Sequence, residues 1–391
     1  MKQAVILAAG EGQRLRPFTV TRPKAMISIA DKPILQYIVE ALARNGIRDI
    51  VLVVGYRKEQ VFDYMGSGEK LGVKISYVTQ EKQLGTAHAL SKVKEMVQDE
   101  FLVLPGDNLI EAPTIADFID IGPAAVLIKR VNDPQRYGVV NADGGEVKTI
   151  VEKPSEAGSN MVNTGIYAFN RDIFKFTEQV LDIPDVLNNM IAEGYSIKAV
   201  ETGGTWLDVI YPWDVISLNN AILQNIEAGL GGTIEDGVTL KGKVMIGAGT
   251  VIKAGSCIYG PAVIGSGCEI GPHVCIMPST SIGDNVMIAS FTQIKNSVIG
   301  DDVTLGPGCF ISDSAIDKGC VIKGRFTALG GPSEVRINGE SPAINVGVIM
   351  GEDCKVESNV TAQPGAIVGN YCQIQISKLL SGQLPDRSLV Y

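Results

Sequence analysis

Residues 246–276 read IGAGTVIKAGSCIYGPAVIGSGCEIGPHVCI, with an isoleucine at every sixth position: Ile246, Ile252, Ile258, Ile264, Ile270 and Ile276. The period runs back through Leu240 to Ile234 and on through Ile282, Ile288 and Ile294. After a one-residue slip the frame resumes at Ile299, Leu305 and Ile311, slips again to Ile316 and Ile322, and recurs at Met350, Val356, Val368 and Ile374. Hexapeptide repeats of this form build a left-handed parallel β-helix, with one short strand and turn per hexad and three hexads per coil. The interior of such a prism also takes a small residue four positions after each aliphatic one. Thr250, Ser256, Ala262, Cys268, Thr280 and Thr292 fit, as do Cys309, Cys320, Cys354 and Cys372.

Five of the seven cysteines are thereby explained as core fillers. No Cys-x-x-Cys pair occurs and the count is odd, which suits neither zinc nor a disulfide framework. The stretch LGGPSEVRINGESPAIN, between Ala328 and Val346, breaks the period and reads as a loop inserted between coils. The tail LLSGQLPDRSLVY reads as a final strand or arm covering the end of the stack.

At 391 residues the chain is long for one domain, and the repeat sets the boundary: 1–228, then a β-helix over 229–391. A hydrophobic fraction of 45% and a charged fraction of 20% describe an ordinary globular protein. The net charge of −9 argues against a nucleic-acid or anionic-membrane partner. No apolar run approaches a spanning helix, and AVILAAG is followed at once by Glu11 instead of continuing as a signal peptide. A cytoplasmic location is expected.

The first half alternates short apolar runs (AVILAA, IVLVV, KISYV, FLVLP, AAVLIK, TGIYAF, SIKAV) with helical-length segments, which argues for a Rossmann-like α/β domain around a mostly parallel sheet. Ligands in such sheets sit beyond the carboxyl ends of the strands. There the first strand runs into LAAGEGQRLRP (residues 7–17) and RPKAM (residues 22–26). Gly10 and Gly12 let backbone N–H groups approach an anion, and Arg14, Arg16 and Lys24 bring positive charge. A dinucleotide fingerprint needs a third glycine that Gln13, Arg14 and Leu15 do not supply, and a P-loop needs Gly-Lys-Ser/Thr. A phosphate site of another kind and a plain turn with solvated charges both fit the loop alone. Asp107, in PGDN after FLVLP, and Asp208, in WLDVIYPWD, are carboxylates from separate strand ends. Such a pair suits a magnesium ion completed by phosphate oxygens, although Asp107 alone also suits a turn.

Taken in order, LAAGEGQRLRP…RPKAM, QEKQLGTAHAL, PGDN, EKP, NTGIYAF and WLDVIYPWD resemble the motif series of sugar-1-phosphate nucleotidylyltransferases, glucose-1-phosphate thymidylyltransferases among them. Their coupling to hexapeptide repeats resembles the bifunctional N-acetylglucosamine-1-phosphate uridylyltransferase/glucosamine-1-phosphate acetyltransferases, archaeal ones in particular. The resemblance implies that Leu7, Ala8, Ala9, Gly10 and Gly12 wrap the nucleotide, while Gln80, Gly85 and Thr86 read its base. It implies that Arg14 holds the triphosphate and that Lys24 sits near the reacting phosphates. Gly138, Glu152, Asn163 and Thr164 would line the sugar pocket, with Lys153 on the sugar phosphate and Mg²⁺ on Asp107 and Asp208. The implied substrates are UTP or dTTP and a sugar 1-phosphate, and the implied assembly is a homotrimer through the β-helix.

Two other activities compete. In a non-catalytic regulatory subunit there would be no need to keep Arg14, Lys24, Asp107 and Asp208 together. A bifunctional enzyme would also acetylate an amino-sugar 1-phosphate from acetyl-CoA. The similar enzymes do this with a segment reading Pro-His-x-x-Tyr and a later asparagine. This chain has Pro307 in place of the histidine, Phe310 in place of the tyrosine and Gly330 in place of the asparagine. No acetyl transfer is expected, and His273 is read as a solvated turn residue.

Overall fold

The run AVILAA becomes β1 (Gln3–Ala8), the buried strand on which the first half of the chain is assembled. Its partners on either side are β2 (Asp49–Val54) and β4 (Glu100–Pro105), and β3 (Lys74–Thr79) lies outside β2, all parallel. This is the computed structural model, which describes residues 1–391 except 179, 338, 340 and 341. Helix α1 (Ile34–Arg44) makes one of the crossovers, burying Ile34, Leu35, Ile38, Val39, Ala41 and Leu42 along one side. Beyond β4 come β5 (Ala125–Arg130), β6 (Gly138–Asp143), β7 (Glu146–Glu152), β8 (Met161–Asn170) and β9 (Lys198–Glu201). The nine-stranded order is β3-β2-β1-β4-β8-β5-β9-β7-β6. Pairing is antiparallel from β4–β8 outward except for β5–β9, so the expected mostly parallel sheet is parallel in its first four strands and mixed overall. The order reverses between β1 and β4, which makes their carboxyl ends the switch point where such sheets bind ligands.

The repeats form three parallel sheets of nine, nine and eight short strands. Equivalent aliphatic residues stack in register from coil to coil: Ile246 under Ile264, Ile252 under Ile270, and Ile258 under Ile276. The stack continues through both one-residue slips, with Ile282 on Ile299 and Ile299 on Ile316. In one row alanines take the aliphatic place, Ala328 and Ala362, which is why periodicity fades there. Cys268, Cys309, Cys320, Cys354 and Cys372 are buried in the core as expected, and no disulfide joins cysteines among the described residues. The Cys354 thiol, hydrogen-bonded to that of Cys320 and buried, is pushed up to about 12, far from a reactive thiolate.

Two expectations about this half need correction. The inserted loop contains an antiparallel ribbon, Gly331–Glu334 against Ala343–Val346, with residues 338, 340 and 341 outside the described set. Of the two forms expected for the tail, a final strand or an arm, the structure has strands, three of them instead of one. Leu379–Leu380, Gln383–Leu384 and Leu389–Val390 each add one rung to a sheet, making a further coil whose shortened hexad hid it.

Packing divides the chain into two compact units: Met1–Glu11, Arg22–Met26 and Ile34–Asp208 in the first, Gly12–Thr21, Ile27–Pro33 and Val209–Tyr391 in the second. The boundary expected at 228/229 lies one helix later than this division. Helix α2 (Asp214–Gln224) belongs with the coil, where Leu223 packs with Val263 and Ala30 and the Asn219 side chain donates to Ser279 O at 3.1 Å. Within the second unit, part of the glycine-rich loop is packed with the β-helix. No described helix is long and apolar enough to cross a membrane.

Candidate functional site

The switch point is built by close backbone approach. Gly106 N donates to Leu7 O at 2.9 Å, tying the turn after β4 to the end of β1. A Cβ on Gly106 would lie 2.6 Å from that of Ala8, so no larger residue fits this contact. On the other flank Tyr56 N donates to Ala9 O at 3.2 Å, and a Cβ on Gly55 would lie 2.9 Å from the same oxygen. Around Gly10 there is open space, as a backbone that must face a ligand requires.

After Asp107 the chain pairs Asn108–Ile110 with Trp206–Asp208 in a short antiparallel ribbon that sets Asn108 opposite Asp208. Trp206 anchors the ribbon by donating its indole N–H to Thr164 O at 3.0 Å. The two aspartates, a hundred residues apart in sequence, therefore reach one cation. Lys24 Nζ lies 2.8 Å from Asp107 Oδ2 and 3.4 Å from Asp208 Oδ1. Burial pulls the Lys24 ammonium down, but Asp107 and Asp208 outweigh it and hold the group above the usual lysine value. Two carboxylates so placed would suit a divalent ion that takes its remaining ligands from phosphates and water. Among the described residues no cluster of three or more His, Cys, Asp or Glu side chains is placed to hold a metal, so the substrate would have to complete the shell.

A second group lies on β6, β7 and β8. Gly138 faces Glu152 across the ladder, and a Cβ there would come within 2.9 Å of Glu152 Oε2 and 3.6 Å of Asn163 Cβ. Asn163 donates to the Tyr167 hydroxyl at 2.7 Å and accepts from Gly165 N at 2.9 Å. Lys153 has a left-handed backbone (φ 42°), and its ammonium lies 3.7 Å from Glu152 Oε1 at the exposed rim. Thr164 is buried with its hydroxyl committed to Leu127 O at 2.6 Å, so it shapes the wall through its backbone.

A third group surrounds Gln80. Its Nε2 donates to Gly85 O at 3.0 Å and lies 2.9 Å from His88 Nδ1. Because that nitrogen is fixed as a donor, His88 Nδ1 must accept, and burial followed by the charge of Lys92 lowers the imidazole to favour that neutral form. Gly85 (φ 135°) and Thr86 are clamped to the Leu181–Asp182 turn: Thr86 N donates to Asp182 Oδ1 at 3.0 Å and Thr86 Oγ1 accepts from Ile183 N at 2.9 Å. Sequence reasoning missed His88, Asp182 and Tyr167. His88 was visible inside QEKQLGTAHAL, whereas Asp182 carries no local signal. Arg14 belongs to the second unit, where it lines a cleft of about 540 Å³ with Arg16, Arg336, Gln383 and Asp386.

Comparison with known proteins agrees with this layout. The nucleotidyl transferase family matches residues 3–225, and the bacterial transferase hexapeptide family (six repeats) matches residues 261–296. The chain is similar to the "Bifunctional protein GlmU" of Methanococcus maripaludis, 36% identical over 99% of this chain and 97% of the relative. A "Bifunctional sugar-1-phosphate nucleotidylyltransferase/acetyltransferase" of Sulfurisphaera tokodaii is 34% identical over 95% of each. Among solved structures, a putative glucose-1-phosphate thymidylyltransferase from Bacillus anthracis superposes with a TM-score of 0.53 at 30% identity. It covers 58% of this chain and 97% of that one.

The Lys24 environment has a titration signature. Its raised value means the ion-pair contribution to stability is complete below about 10.5, the ordinary lysine value, and is lost as pH rises through the folded-state value. With Asp107→Asn and Asp208→Asn combined, burial alone acts, and Lys24 is expected to titrate below the ordinary value. Nuclear magnetic resonance of labelled lysine checks this; an unchanged titration in the double variant contradicts the pairing.

Proposed function

The chain belongs to the nucleotidyl transferase family, and from that premise we propose that it joins a pyrimidine nucleoside triphosphate to a hexose 1-phosphate with release of pyrophosphate. The observation that carries this reading is the meeting of Asp107 and Asp208 on Lys24 at the switch point. A regulatory subunit has no use for that arrangement.

The reaction needs no protein nucleophile. A sugar-phosphate oxygen, already anionic at neutral pH, attacks the α-phosphorus in line. The new P–O bond forms as the α–β P–O bond breaks, and the electron pair leaves with pyrophosphate. What the protein must do is hold two polyanions together and offset charge as it spreads in the transition state. In this reading Leu7, Ala8, Ala9, Gly10 and Gly12 offer backbone to the nucleotide, Arg14 and Lys24 neutralise its phosphates, and Lys153 holds the sugar phosphate beside Gly138, Glu152 and Asn163. Asp107 and Asp208 would hold Mg²⁺, which supplies charge neutralisation at the phosphates when bound. Gln80 Nε2 is committed to Gly85 O, so the group it offers a base is the Oε1 acceptor, which matches the N3–H of uracil or thymine. Those two bases differ by one methyl, worth only ~1–3 kcal/mol in a pocket.

The test is pyrophosphate release from UTP and dTTP against several sugar 1-phosphates, with and without Mg²⁺. Asp107→Ala and Asp208→Ala are each expected to lose about 100-fold or more in turnover, on the scale of removing one electrostatic stabiliser, with far-ultraviolet circular dichroism unchanged. Lys153→Ala should chiefly raise KM for the sugar phosphate. Near wild-type rates in both aspartate variants refute the metal assignment.

A second reading, that the chain also acetylates an amino-sugar 1-phosphate, is favoured by relatives named as bifunctional. An ammonium cannot attack a thioester until a base removes its proton. In the β-helix the one histidine is His273, whose ring stacks on Phe291 (centroids 5.6 Å apart, planes 2° apart) two rungs before Gly308. Pro307 lines a cleft of about 680 Å³ with Phe291, Lys323 and Arg325, with no titratable base in the histidine's place. We expect no thiol release from acetyl-CoA with glucosamine 1-phosphate; release that disappears in His273→Ala reverses this conclusion.

The β-helix serves assembly in this reading. Its flat sides suit a threefold arrangement of copies, as in other hexapeptide-repeat proteins. Light scattering of the full chain is expected to give about three times the chain mass, and a monomer at micromolar concentration rules the trimer out.

A further inference from the structure

The turn that follows the first sheet of the β-helix carries a repeated device. The side chain at one rung accepts a hydrogen bond from the backbone N–H of the rung before. Asp284 accepts from Ser266 N at 2.6 Å, Asp301 from Asp284 N at 2.8 Å, Asn370 from Glu352 N at 2.9 Å and Asp386 from Asn370 N at 2.7 Å. An acceptor is all the device needs, and aspartate supplies it at the other three of these rungs. At position 370 an asparagine stands there, adding two N–H donors. One goes to Asp386 Oδ1 at 3.0 Å; the other reaches Pro17 O at 3.1 Å, in the segment that continues the glycine-rich loop. Asn370 is fully buried, so this donor has no water to fall back on.

One rung earlier, Glu352 takes hold of the same segment. It is 3% exposed, and its Oε2 accepts from the Thr21 hydroxyl at 3.0 Å while Oε1 accepts from the Tyr371 hydroxyl at 2.5 Å. Lys318 Nζ, 3.7 Å away, balances the charge. Between these two grips the segment is closed on itself by the Thr19 hydroxyl, which donates to Gly12 O at 2.8 Å, and Leu15, Phe18 and Thr19 are buried. Gly12, with φ of 74°, forms the flexible entry to a segment that starts directly after Glu11 and ends three residues before Lys24.

We infer that the β-helix is a working part of nucleotidyl transfer: Asn370 and Glu352 are positioning residues that fasten Gly12–Thr21, and with it Arg14, for the nucleoside triphosphate. This rests on the proposed function. A ten-residue glycine-led loop that must be ordered on binding weakens affinity by the entropy of ordering it. Fastening it in advance to buried polar groups of the coil removes that cost. The sugar 1-phosphate, held by residues of the first unit, gains nothing from the clasp.

The test compares Asn370→Asp, Asn370→Ala, Glu352→Ala, Glu352→Gln and Thr21→Val with Thr292→Ala, which removes a buried hydroxyl from another part of the β-helix and controls for general loosening. Asn370→Asp keeps the acceptor used at Asp284, Asp301 and Asp386, loses the donors and sets a carboxylate beside Asp386, so it is read together with the uncharged Asn370→Ala. Thr21→Val removes the same grip from the loop side should a coil variant fail to fold. We expect Asn370→Asp, Asn370→Ala, Glu352→Ala and Thr21→Val to weaken UTP and dTTP binding, by calorimetry, about fivefold or more. KM for the nucleotide should rise with it while KM for the sugar 1-phosphate stays within about twofold. Glu352→Gln, which still accepts from Thr21, should recover most of the loss. Hydrogen exchange at residues 12–21 should speed up in the same variants. Nucleotide affinity equal to that of Thr292→Ala, or parallel changes in both substrates, overturns the inference. Nucleotide binding without pyrophosphate release in the wild type would sink the proposed function and leave the clasp readable by calorimetry and exchange.

Discussion

Asn108 and Asp208 face each other across a ribbon only three residues long on each side, and the meeting of Asp107 and Asp208 on Lys24 depends on that pairing. Neither aspartate is placed by its own helix or strand of the main sheet. Asp107 is carried out of β4 by a glycine turn whose N–H is spent on Leu7 O, and Asp208 is brought back by a strand whose tryptophan is spent on Thr164 O. Two hydrogen bonds to carbonyls on separate strands thus set the spacing of two carboxylates around one ammonium. The geometry is rigid because both anchors are buried and each has a single partner to reach.

Much of this was open to reading from the chain alone. Glycine loops, PGDN and WLD sit where apolar runs end, and carboxyl ends of strands are where ligands bind, so Asp107, Asp208 and Lys24 were named together before any contact was known. What pattern cannot convey is long-range pairing. β8 inserts antiparallel between β4 and β5, which turned an expected parallel sheet into a mixed one, and no periodicity distinguishes a parallel from an antiparallel neighbour. Asp182 was invisible for a related reason. An aspartate between Leu181 and Ile183 looks the same whether it is solvated or holds Thr86 from nearly a hundred residues away.

The β-helix was more transparent because each residue's role repeats. One aliphatic and one small residue per hexad suffice to place the core, and the five inward cysteines followed from position alone. Errors arose where the coil departs from six: the ribbon inside the insertion, and the closing coil, where Leu380 and Leu384 stand too close together to keep the period. Departures of another kind carry information. Asparagine at 370, where Asp284, Asp301 and Asp386 hold equivalent places, leaves the period intact and is noticed only when its extra donor is followed to Pro17.

Charge sets a last constraint on how the parts must cooperate. Lys24 with Asp107 and Asp208 forms a trio bearing one net negative charge, in a chain whose own charge is −9. Two polyanionic substrates cannot meet beside such a trio unless positive charge arrives from elsewhere, because unit charges about 4 Å apart interact at roughly 4 kcal/mol in a site of intermediate dielectric. In the proposed reading a divalent ion taken by the two carboxylates would reverse the sign of the trio. In the proposed reading Lys153, at an exposed rim beside Glu152, would bring charge to the sugar phosphate, and Arg14, on a segment packed with the β-helix, to the triphosphate. The basic residues of that reading are thus carried on separate supports, Lys153 directly after a strand of the main sheet and Arg14 on a segment held by Asn370 and Glu352.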